Sequence, residues 1–296
     1  MLFFPQKYRT DPRLVHPTRS PIADELELKS LGPLKEMHPR PSVELIMARI
    51  KRSTTPSSSW PICIPTSHRG EQEDKMTGRN RATARELSQR YIANGDPMGW
   101  FEVLYATAES DLSIIPWADL APNPNLVSWL EQQDMDGAGH NALEIGCGLG
   151  DDAEELSRRG FDTTAFDISP TAISLCCRRF PKSTVRYIVA DLFKTPGQWV
   201  NRFDFVLESY TLQVLPSNLR KRAIRHMASF VAPSGIIVVI ARGREPGEPE
   251  GQMPWPITRQ EMATFKDVGL TELNFDDYMD NEMPPVYRFR ATYQRK

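Results

Sequence analysis

From residue 141 onward, apolar runs alternate with segments of helical periodicity. The apolar runs predict strands at 141–145, 161–166, 184–189, 202–207 and 235–241. Apolar residues at three- and four-residue steps predict helices at 151–159, 170–180, 217–230 and 258–268. A continuous apolar strand such as 236–240 is typical of a sheet covered on both faces. The pattern predicts an α/β fold with a doubly wound, mostly parallel sheet, ending in an antiparallel pair at 270–276 and 286–293 along one edge.

Before residue 140 the pattern is different. Helical periodicity recurs from 83 to 108 around a break at 94–97, and another helix is predicted at 124–133. We expect one domain at 76–296, in which a helical, aromatic lid (76–135) covers a core (140–296). Ten of the 25 prolines lie before residue 76, in a segment with little periodic apolar surface. Residues 1–75 are therefore expected to be a largely disordered extension, with Met76 as a candidate for the true start of translation.

Composition and charge narrow the class of protein. A net charge of -2 offers no general attraction for nucleic acid or anionic membranes, and no apolar run is long enough to span a bilayer. The four cysteines lack the spacing of a metal site, and the adjacent pair Cys176 and Cys177 argues against a disulfide framework. We expect a cytoplasmic protein, a monomer or weak dimer, that binds no metal, nucleic acid or membrane.

The segment 143–150 carries the main chemical signal. It reads Leu-Glu-Ile-Gly-Cys-Gly-Leu-Gly and joins a predicted strand to a predicted helix. Glycines let the backbone turn tightly and let a ligand approach the main chain. A dinucleotide fingerprint has the spacing G-x-G-x-x-G, whereas here the third glycine comes one residue earlier and is followed by Asp151 and Asp152. Because two carboxylates at this helix start would repel a pyrophosphate, the loop favours a ligand without phosphates.

Three acids lie at the ends of successive predicted strands around this loop. Glu144 precedes the first glycine, where it can face the ammonium of an amino-acid moiety. Asp167 lies 17 residues beyond Gly150, where a carboxylate can bind both hydroxyls of a ribose. Asp191 can accept a hydrogen bond from an adenine amino group. Amino acid, ribose and adenine without phosphate describe S-adenosylmethionine, the predicted cofactor. The predicted cofactor-binding residues are Trp117, Glu144, Gly146, Cys147, Gly148, Gly150, Asp167, Ile168, Asp191, Leu192 and Glu208.

This set of motifs resembles the class I S-adenosylmethionine-dependent methyltransferases over roughly residues 95–296. The match covers the acid-x-Gly-x-Gly-x-Gly loop, Asp167, the Ala-Asp pair at 190–191 and the fourth predicted strand at 203–209. The resemblance implies a Rossmann-like sheet of seven strands with the last one antiparallel. In the lid, Trp100, Tyr105 and the turn at 115–117 are similar to the tryptophan-rich cap of the thiopurine and halide/thiol methyltransferase branch, although the tryptophan spacing is kept only approximately.

Methyl transfer from a sulfonium is an in-line displacement. The enzyme aligns donor and acceptor, and a base is needed only if the acceptor must lose a proton. Glu208 is the candidate base, or else a residue that orients its loop, and Arg242 is the candidate for binding an anionic acceptor. Trp117 is expected to face the sulfonium through cation–π attraction, whereas Trp100 and Tyr105 are equally explained as core aromatics. The predicted acceptor-binding residues are Tyr105, Tyr210, Arg242 and Trp255, and the predicted catalytic residues are Glu208 and Arg242.

The leading hypothesis is a methyltransferase acting on a small molecule, such as a thiol, a halide or another small metabolite. The Asn/Asp-Pro-Pro-aromatic motif of enzymes that methylate base amines does not follow the fourth predicted strand. The basic runs at 178–182 and 220–225 are typical of solvated helix faces, so a protein or RNA methyltransferase would lack a clear approach surface. Two further hypotheses are a non-catalytic cofactor-binding protein of the same fold and a nicotinamide oxidoreductase. The three intact acids argue against the former and the glycine spacing against the latter.

Overall fold

The structure is a computed structural model that describes residues 67–296, with side chains from residue 78 onward. Its helices are α1 Ser67–Ala93, α2 Trp100–Thr107, α3 Pro124–Gln132, α4 Asp151–Arg158, α5 Pro170–Arg179, α6 Ser217–Phe230 and α7 Arg259–Asp267. Its strands are β1 Asn141–Ile145, β2 Asp162–Asp167, β3 Arg186–Val189, β4 Phe203–Ser209, β5 Val231–Arg244, β6 Ile257–Thr258, β7 Leu270–Met279 and β8 Tyr287–Arg295. Most of the extension expected at 1–75 lies outside the described residues, and α1 spans the expected boundary at Met76.

The main sheet has seven strands in the order β3-β2-β1-β4-β5-β8-β7, and the short β6 pairs with β5. The strands β1 to β5 run parallel, and β8 is antiparallel to both β5 and β7. The predicted α/β fold with a doubly wound, mostly parallel sheet is confirmed. The last two strands form an antiparallel pair at one end of this sheet, with β8 beside β5 and β7 at the edge.

Both faces of the sheet are buried, as the apolar strands predict. On β5, Ile237 and Val239 pack into a cluster with the inner face of α6, which includes Ile224 and Met227. The alternate positions, including Val238, pack on the opposite face with residues of α3. Since successive side chains of a strand point to opposite faces, a strand buried on both sides needs apolar residues at every position.

The basic run on α6 is not a solvated face, which corrects the expectation for 220–225. Arg220 has a side chain only 2% exposed and forms ion pairs with Glu250 at 2.8 Å and Glu261 at 2.7 Å. Lys221, Arg222 and Arg225 do not share this burial. The buried guanidinium therefore fixes the loop between β5 and β6, which carries Glu250, to the body of the domain.

Two other basic residues also have partners that the sequence did not reveal. Arg179, expected on a solvated face, is bound to Asp151 with both nitrogens, at 2.7 and 2.8 Å. Arg244 donates to the carbonyl of Pro256 at 3.1 Å and does not pair with the adjacent Glu245, which accepts from Tyr287 at 3.0 Å. Within residues 67–296, no helix has the length and apolar character needed to cross a membrane.

Candidate cofactor and acceptor site

A cavity of about 980 Å³ opens at the carboxyl ends of β1, β2 and β4. In a parallel sheet of this kind, that edge is where ligands bind. The predicted site residues that line the cavity are Tyr105, Trp117, Glu144, Gly146, Cys147, Gly148, Gly150, Asp167, Ile168, Leu192, Tyr210 and Arg242. Three predicted site residues, Asp191, Glu208 and Trp255, do not line it.

The glycine loop follows β1, and its backbone conformation requires glycine. Gly146, Gly148 and Gly150 have φ of 65°, 55° and 86°, in the left-handed region. Each glycine has a side chain from another part of the domain close to it. A Cβ on Gly146 would lie 2.5 Å from Oγ1 of Thr211, and one on Gly150 would lie 2.6 Å from the hydroxyl of Tyr187. The loop is thus closely packed, and its surface toward the cavity is main chain.

The carboxyl group of Glu144 is buried beside the cavity. Its residue is 4% exposed, and Oε2 has no hydrogen-bond partner. Burial raises the pKa of Glu144 well above its ordinary value, and the charges of Asp152 and Asp151 raise it further. A buried polar atom without a partner is costly, which indicates that a donor from a ligand belongs there.

Asp167 ends β2 and holds the glycine loop. Its carboxylate accepts from the backbone nitrogen of Gly148 at 3.0 Å and from that of Ser169 at 2.9 Å. Burial raises its pKa to about 6, although these backbone hydrogen bonds favour the ionised form. Each carboxylate oxygen has a second lone pair, so the group can still accept hydroxyl protons of a ligand in the cavity.

The two acids at the start of α4 have different partners. Asp151 is neutralised by Arg179. Asp152 lines the cavity and accepts from the backbone nitrogen of Asn123 at 2.6 Å, and burial raises its pKa to about 6. The segment before α3 is therefore bound to the glycine loop, and this end of the cavity keeps an acidic wall.

The lid contacts the glycine loop at the carboxyl edge of the sheet. Nε1 of Trp117 donates to the hydroxyl of Tyr105 at 3.0 Å, and Trp117 also packs edge-on against Trp100 with ring centroids 6.0 Å apart. A Cβ on Gly148 would lie 3.0 Å from the same Tyr105 oxygen. Tyr105, predicted at the acceptor, thus lies beside Trp117 and the glycine loop, while Trp100 is fully buried.

Glu102 on α2 fastens the lid to the core. Its carboxylate accepts from the hydroxyl of Ser169 at 2.5 Å and from the nitrogen and hydroxyl of Thr171 at 3.1 and 2.7 Å. Ser169 caps the start of α5 and Thr171 lies in its first turn, directly after Asp167 and the end of β2. The lid is bound to the wall of the cavity that carries the predicted ribose ligand.

Around Tyr210, a predicted acceptor-binding residue, the structure brings together side chains that the sequence did not single out. Tyr210 follows β4 with a φ of 65°, which is unusual for a residue other than glycine. Its hydroxyl accepts from Nδ2 of Asn125 at 3.2 Å, and Tyr278 donates to Oδ1 of Asn125 at 2.6 Å. The guanidinium of Arg288 lies over the ring of Tyr210, 4.7 Å from its centroid. No local motif predicts the φ of Tyr210, or that side chains from α3, β7 and β8 meet around this residue.

Arg242 lines the cavity, and it lies within β5 rather than after it. Its backbone nitrogen donates to Oε1 of Gln213 at 2.7 Å, and its side chain is 23% exposed. Burial and the charge of Arg288 lower the pKa of Arg242. Gln213 itself is buried, and its carbonyl accepts from the backbone nitrogen of Trp255 at 2.6 Å.

The three predicted residues outside the cavity have structural contacts. Asp191 accepts from the nitrogen of Phe193 at 2.8 Å and caps the turn Leu192–Lys194. Glu208 is fully buried, accepts from the nitrogen of Leu212 at 2.9 Å, and has a pKa raised by burial to about 7. Trp255 packs against the lid cluster, and its neighbours Met253 and Pro254 line the cavity instead.

Comparison with known proteins points to methyltransferases. Residues 142–235, about a third of the chain, match the family model described as a methyltransferase domain. Nodulation protein S of Sinorhizobium fredii (strain NBRC 101917 / NGR234) is 33% identical over 100 residues, which are 33% of this chain and 45% of that protein. The alignment thus spans less than half of the relative's length.

Two solved structures share the fold. The 1,6-didemethyltoxoflavin-N1-methyltransferase of Burkholderia thailandensis, with 1,6-didemethyltoxoflavin and S-adenosylhomocysteine bound, has a TM-score of 0.52 and 17% identity over 80% of this chain and 94% of its own. The N-methyltransferase NodS of Bradyrhizobium japonicum WM9, in complex with S-adenosylhomocysteine, has a TM-score of 0.51 and 22% identity over 65% of this chain and 98% of its own. The fold is the Rossmann-like methyltransferase fold, as predicted.

Proposed function

We propose that this chain is an S-adenosylmethionine-dependent methyltransferase that transfers the methyl group to a small-molecule nucleophile. The observation that carries the proposal is the buried carboxyl group of Glu144, whose Oε2 lacks a partner beside the glycine loop. An amino-acid ammonium in the cavity would supply the missing donor. The same cofactor is supported by the two solved structures of this fold, both of which hold S-adenosylhomocysteine.

The residues along the cavity fit the parts of this cofactor in order. Glu144 and the main chain of the glycine loop would hold the amino-acid end. Asp167 would bind the ribose hydroxyls, and Ile168 and Leu192, which both line the cavity, would enclose the adenine. Asp191 reaches the adenine only if its carboxylate leaves the turn that it caps in this structure. The cofactor, when bound, supplies a methyl group on a positively charged sulfur.

The chain's own residues align the reactants and exclude water. Trp117 and Tyr105 close the cofactor end, and their aromatic faces suit the positive charge on sulfur. Tyr210, held by Arg288 and Asn125, lines the side where an acceptor enters. Glu208 does not line the cavity but accepts a hydrogen bond from Leu212, so its role is to position the loop after β4 rather than to act as a base.

Among small acceptors, nitrogen nucleophiles are the first class to test. The two solved structures of this fold are named as N-methyltransferases, and a neutral amine or ring nitrogen can attack without losing a proton first. The comparisons do not support the resemblance to the thiopurine and halide/thiol branch. Thiols and halides are therefore tested beside amines rather than before them.

The test has two stages. In calorimetric titrations we expect the chain to bind S-adenosylmethionine and S-adenosylhomocysteine and not NADH. Release of S-adenosylhomocysteine is then measured with amines, thiols, iodide, RNA and protein as acceptors. Binding of NADH without S-adenosylmethionine would reject the cofactor assignment. Methylation of RNA or protein alone would reject a small-molecule acceptor.

A further inference from the structure

Three arginine side chains meet at the acceptor end of the cavity. Arg242 lies on β5, Arg288 on β8 and Arg81 on the lid helix α1, and all three line the cavity. Burial lowers the pKa of Arg242, and the positive charges of Arg288 and Arg81 lower it further. Such a cluster is costly unless carboxylates oppose it.

Arg288 is paired with two carboxylates. Its side chain is 2% exposed, Nε donates to Asp280 at 2.6 Å, and Nη2 donates to Glu282. Its guanidinium also lies over the ring of Tyr210. Arg288 therefore fixes the hairpin between β7 and β8, which carries Asp280 and Glu282, to the residue that follows β4.

Arg242 and Arg81 are held less firmly, because Arg242 forms one long ion pair with Glu282. The Oε2 atom of Glu282, 3.9 Å from Nη2 of Arg242, is beyond hydrogen-bond distance, and Glu282 is 45% exposed. Within the part of the chain whose side chains are described, Arg81 makes no hydrogen bond or ion pair. Each guanidinium has five donors in a planar fork that matches a carboxylate. The cavity is thus lined by the guanidinium-bearing residues Arg242, on the core strand β5, and Arg81, on the lid helix α1.

We infer that the methyl acceptor carries a carboxylate, which Arg242 and Arg81 bind between β5 and the lid, in the place that the carboxylate of Glu282 approaches in this structure. The inference rests on the proposed function, since it names the acceptor class for the same site. Met279 and Met283, on the hairpin and 58% and 83% exposed, supply adaptable apolar contacts for the rest of the acceptor.

A carboxylate fits the local charge better than a phosphate. The three arginines are opposed by three acids, because Asp119 at the rim joins Asp280 and Glu282. Burial and the charge of Glu282 raise the pKa of Asp119, whereas the charges of Arg81 and Arg288 lower it, so the arginines already share their positive charge with carboxylates of the protein. A ligand with one negative charge is therefore better accommodated than one with two.

The test uses the full chain saturated with S-adenosylhomocysteine and titrated with benzoate, benzamide and phenyl phosphate. Benzamide is the uncharged match for benzoate. We expect benzoate to bind at least about tenfold more tightly than benzamide, as a charge-assisted bidentate contact implies. Equal affinities, or no binding of benzoate at millimolar concentration, would overturn the inference. Tighter binding of phenyl phosphate than of benzoate would overturn the choice of carboxylate.

Substitutions at Arg242 and at Glu282 should change the binding of benzoate in opposite directions. Arg242→Gln should abolish the preference for benzoate, and Arg242→Lys should restore part of it. Glu282→Gln removes the competing carboxylate and should strengthen benzoate binding a few-fold. Glu272→Gln is the matched control, because Glu272 pairs with Arg259 away from the cavity. A preference that survives Arg242→Gln would contradict the inference.

Binding of S-adenosylhomocysteine is measured first in every variant, which separates two kinds of failure. Absence of this binding in the unaltered chain refutes the proposed function itself. Intact S-adenosylhomocysteine binding with no discrimination between benzoate and benzamide refutes the carboxylate inference alone.

Discussion

The indole nitrogen of Trp117 and the hydroxyl of Tyr105 are joined by a hydrogen bond of 3.0 Å, and that hydroxyl lies against Gly148 of the glycine loop. The lid thus contacts the predicted cofactor loop through one phenol. Two aromatic residues separated by twelve positions in the chain act as a single contact surface, which explains why the lid must be in place for the cofactor end of the cavity to be complete.

Tyr105→Phe should weaken binding of S-adenosylhomocysteine about fivefold, because the variant removes one hydrogen bond worth about 1 kcal/mol and leaves the Trp117 nitrogen without its acceptor. Titration calorimetry measures the change. Tyr91→Phe, which alters a lid tyrosine on α1, is the control and should bind as the unaltered chain does. Unchanged affinity in Tyr105→Phe would show that the phenol has no part in cofactor binding.

Asp167→Asn should weaken S-adenosylhomocysteine binding roughly 10- to 150-fold, the range expected when charge-assisted hydrogen bonds to two hydroxyls are lost. In the unaltered chain, affinity should fall as pH drops through about 6, because the carboxylate with its raised pKa gains a proton there. The asparagine variant should lose this part of the pH dependence.

The matched control for this experiment is Asp162→Asn, at the opposite end of β2, where the carboxylate pairs with Arg186 and is 58% exposed. Its affinity and pH profile should match those of the unaltered chain. An Asp167→Asn variant that keeps full affinity would remove Asp167 from the ribose site.

Glu208 should make the fold less stable as pH rises. Burial raises its pKa from 4.5 to about 7, so the folded protein keeps a proton that the unfolded chain has released. This contribution to stability is complete below pH 4.5 and is lost as pH rises through about 7. Between about pH 6 and pH 8 the loss should be about 1 kcal/mol in the free energy of unfolding.

Urea denaturation at several pH values in this range measures how steeply the free energy of unfolding falls as pH rises. Glu208→Gln cannot titrate and should show a flatter profile, whereas Glu131→Gln, at a 67% exposed position, should keep the original one. Identical slopes in all three proteins would mean that Glu208 is ionised in the folded state across this range.

Arg220→Met should reduce the free energy of unfolding by about 3–5 kcal/mol, since it leaves the carboxylates of Glu250 and Glu261 without their buried partner. Arg225→Met, at an exposed position of the same helix, should change stability by less than about 0.5 kcal/mol. Urea denaturation of both variants decides the point, and similar losses would contradict the buried role of Arg220.

Local pattern was sufficient to predict the fold. The prediction for α6 at 217–230 agrees with the observed bounds, and β1 at 141–145 does too. Each of these two elements has a regular pattern of apolar residues in its own sequence. The burial of Arg220 was missed because its partners, Glu250 and Glu261, lie far along the chain. An Arg-Lys-Arg run by itself is typical of a helix face exposed to solvent.

The places of Glu144 and Asp167 beside the cavity could be predicted for a similar reason. Glu144 and Asp167 lie at strand ends fixed by the fold, so their spacing in the sequence sets their place at the carboxyl edge. The acceptor end depends on side chains from α1, α3, β7 and β8. Arg81, Asn125 and Arg288 meet only in the folded chain, and no motif marks them. Trp255 was expected over the cavity, but Gln213 holds its backbone on the lid side.

The hydrogen bonds of Glu102 bear on how long a ligand stays bound beneath the lid. Its carboxylate binds Ser169 and Thr171, so the lid is attached to the turn that begins two residues after Asp167. All three of these hydrogen bonds would have to break for the lid to separate from this part of the core. We therefore expect the residence time of a ligand bound beneath the lid to depend on how long Glu102 keeps its three donors.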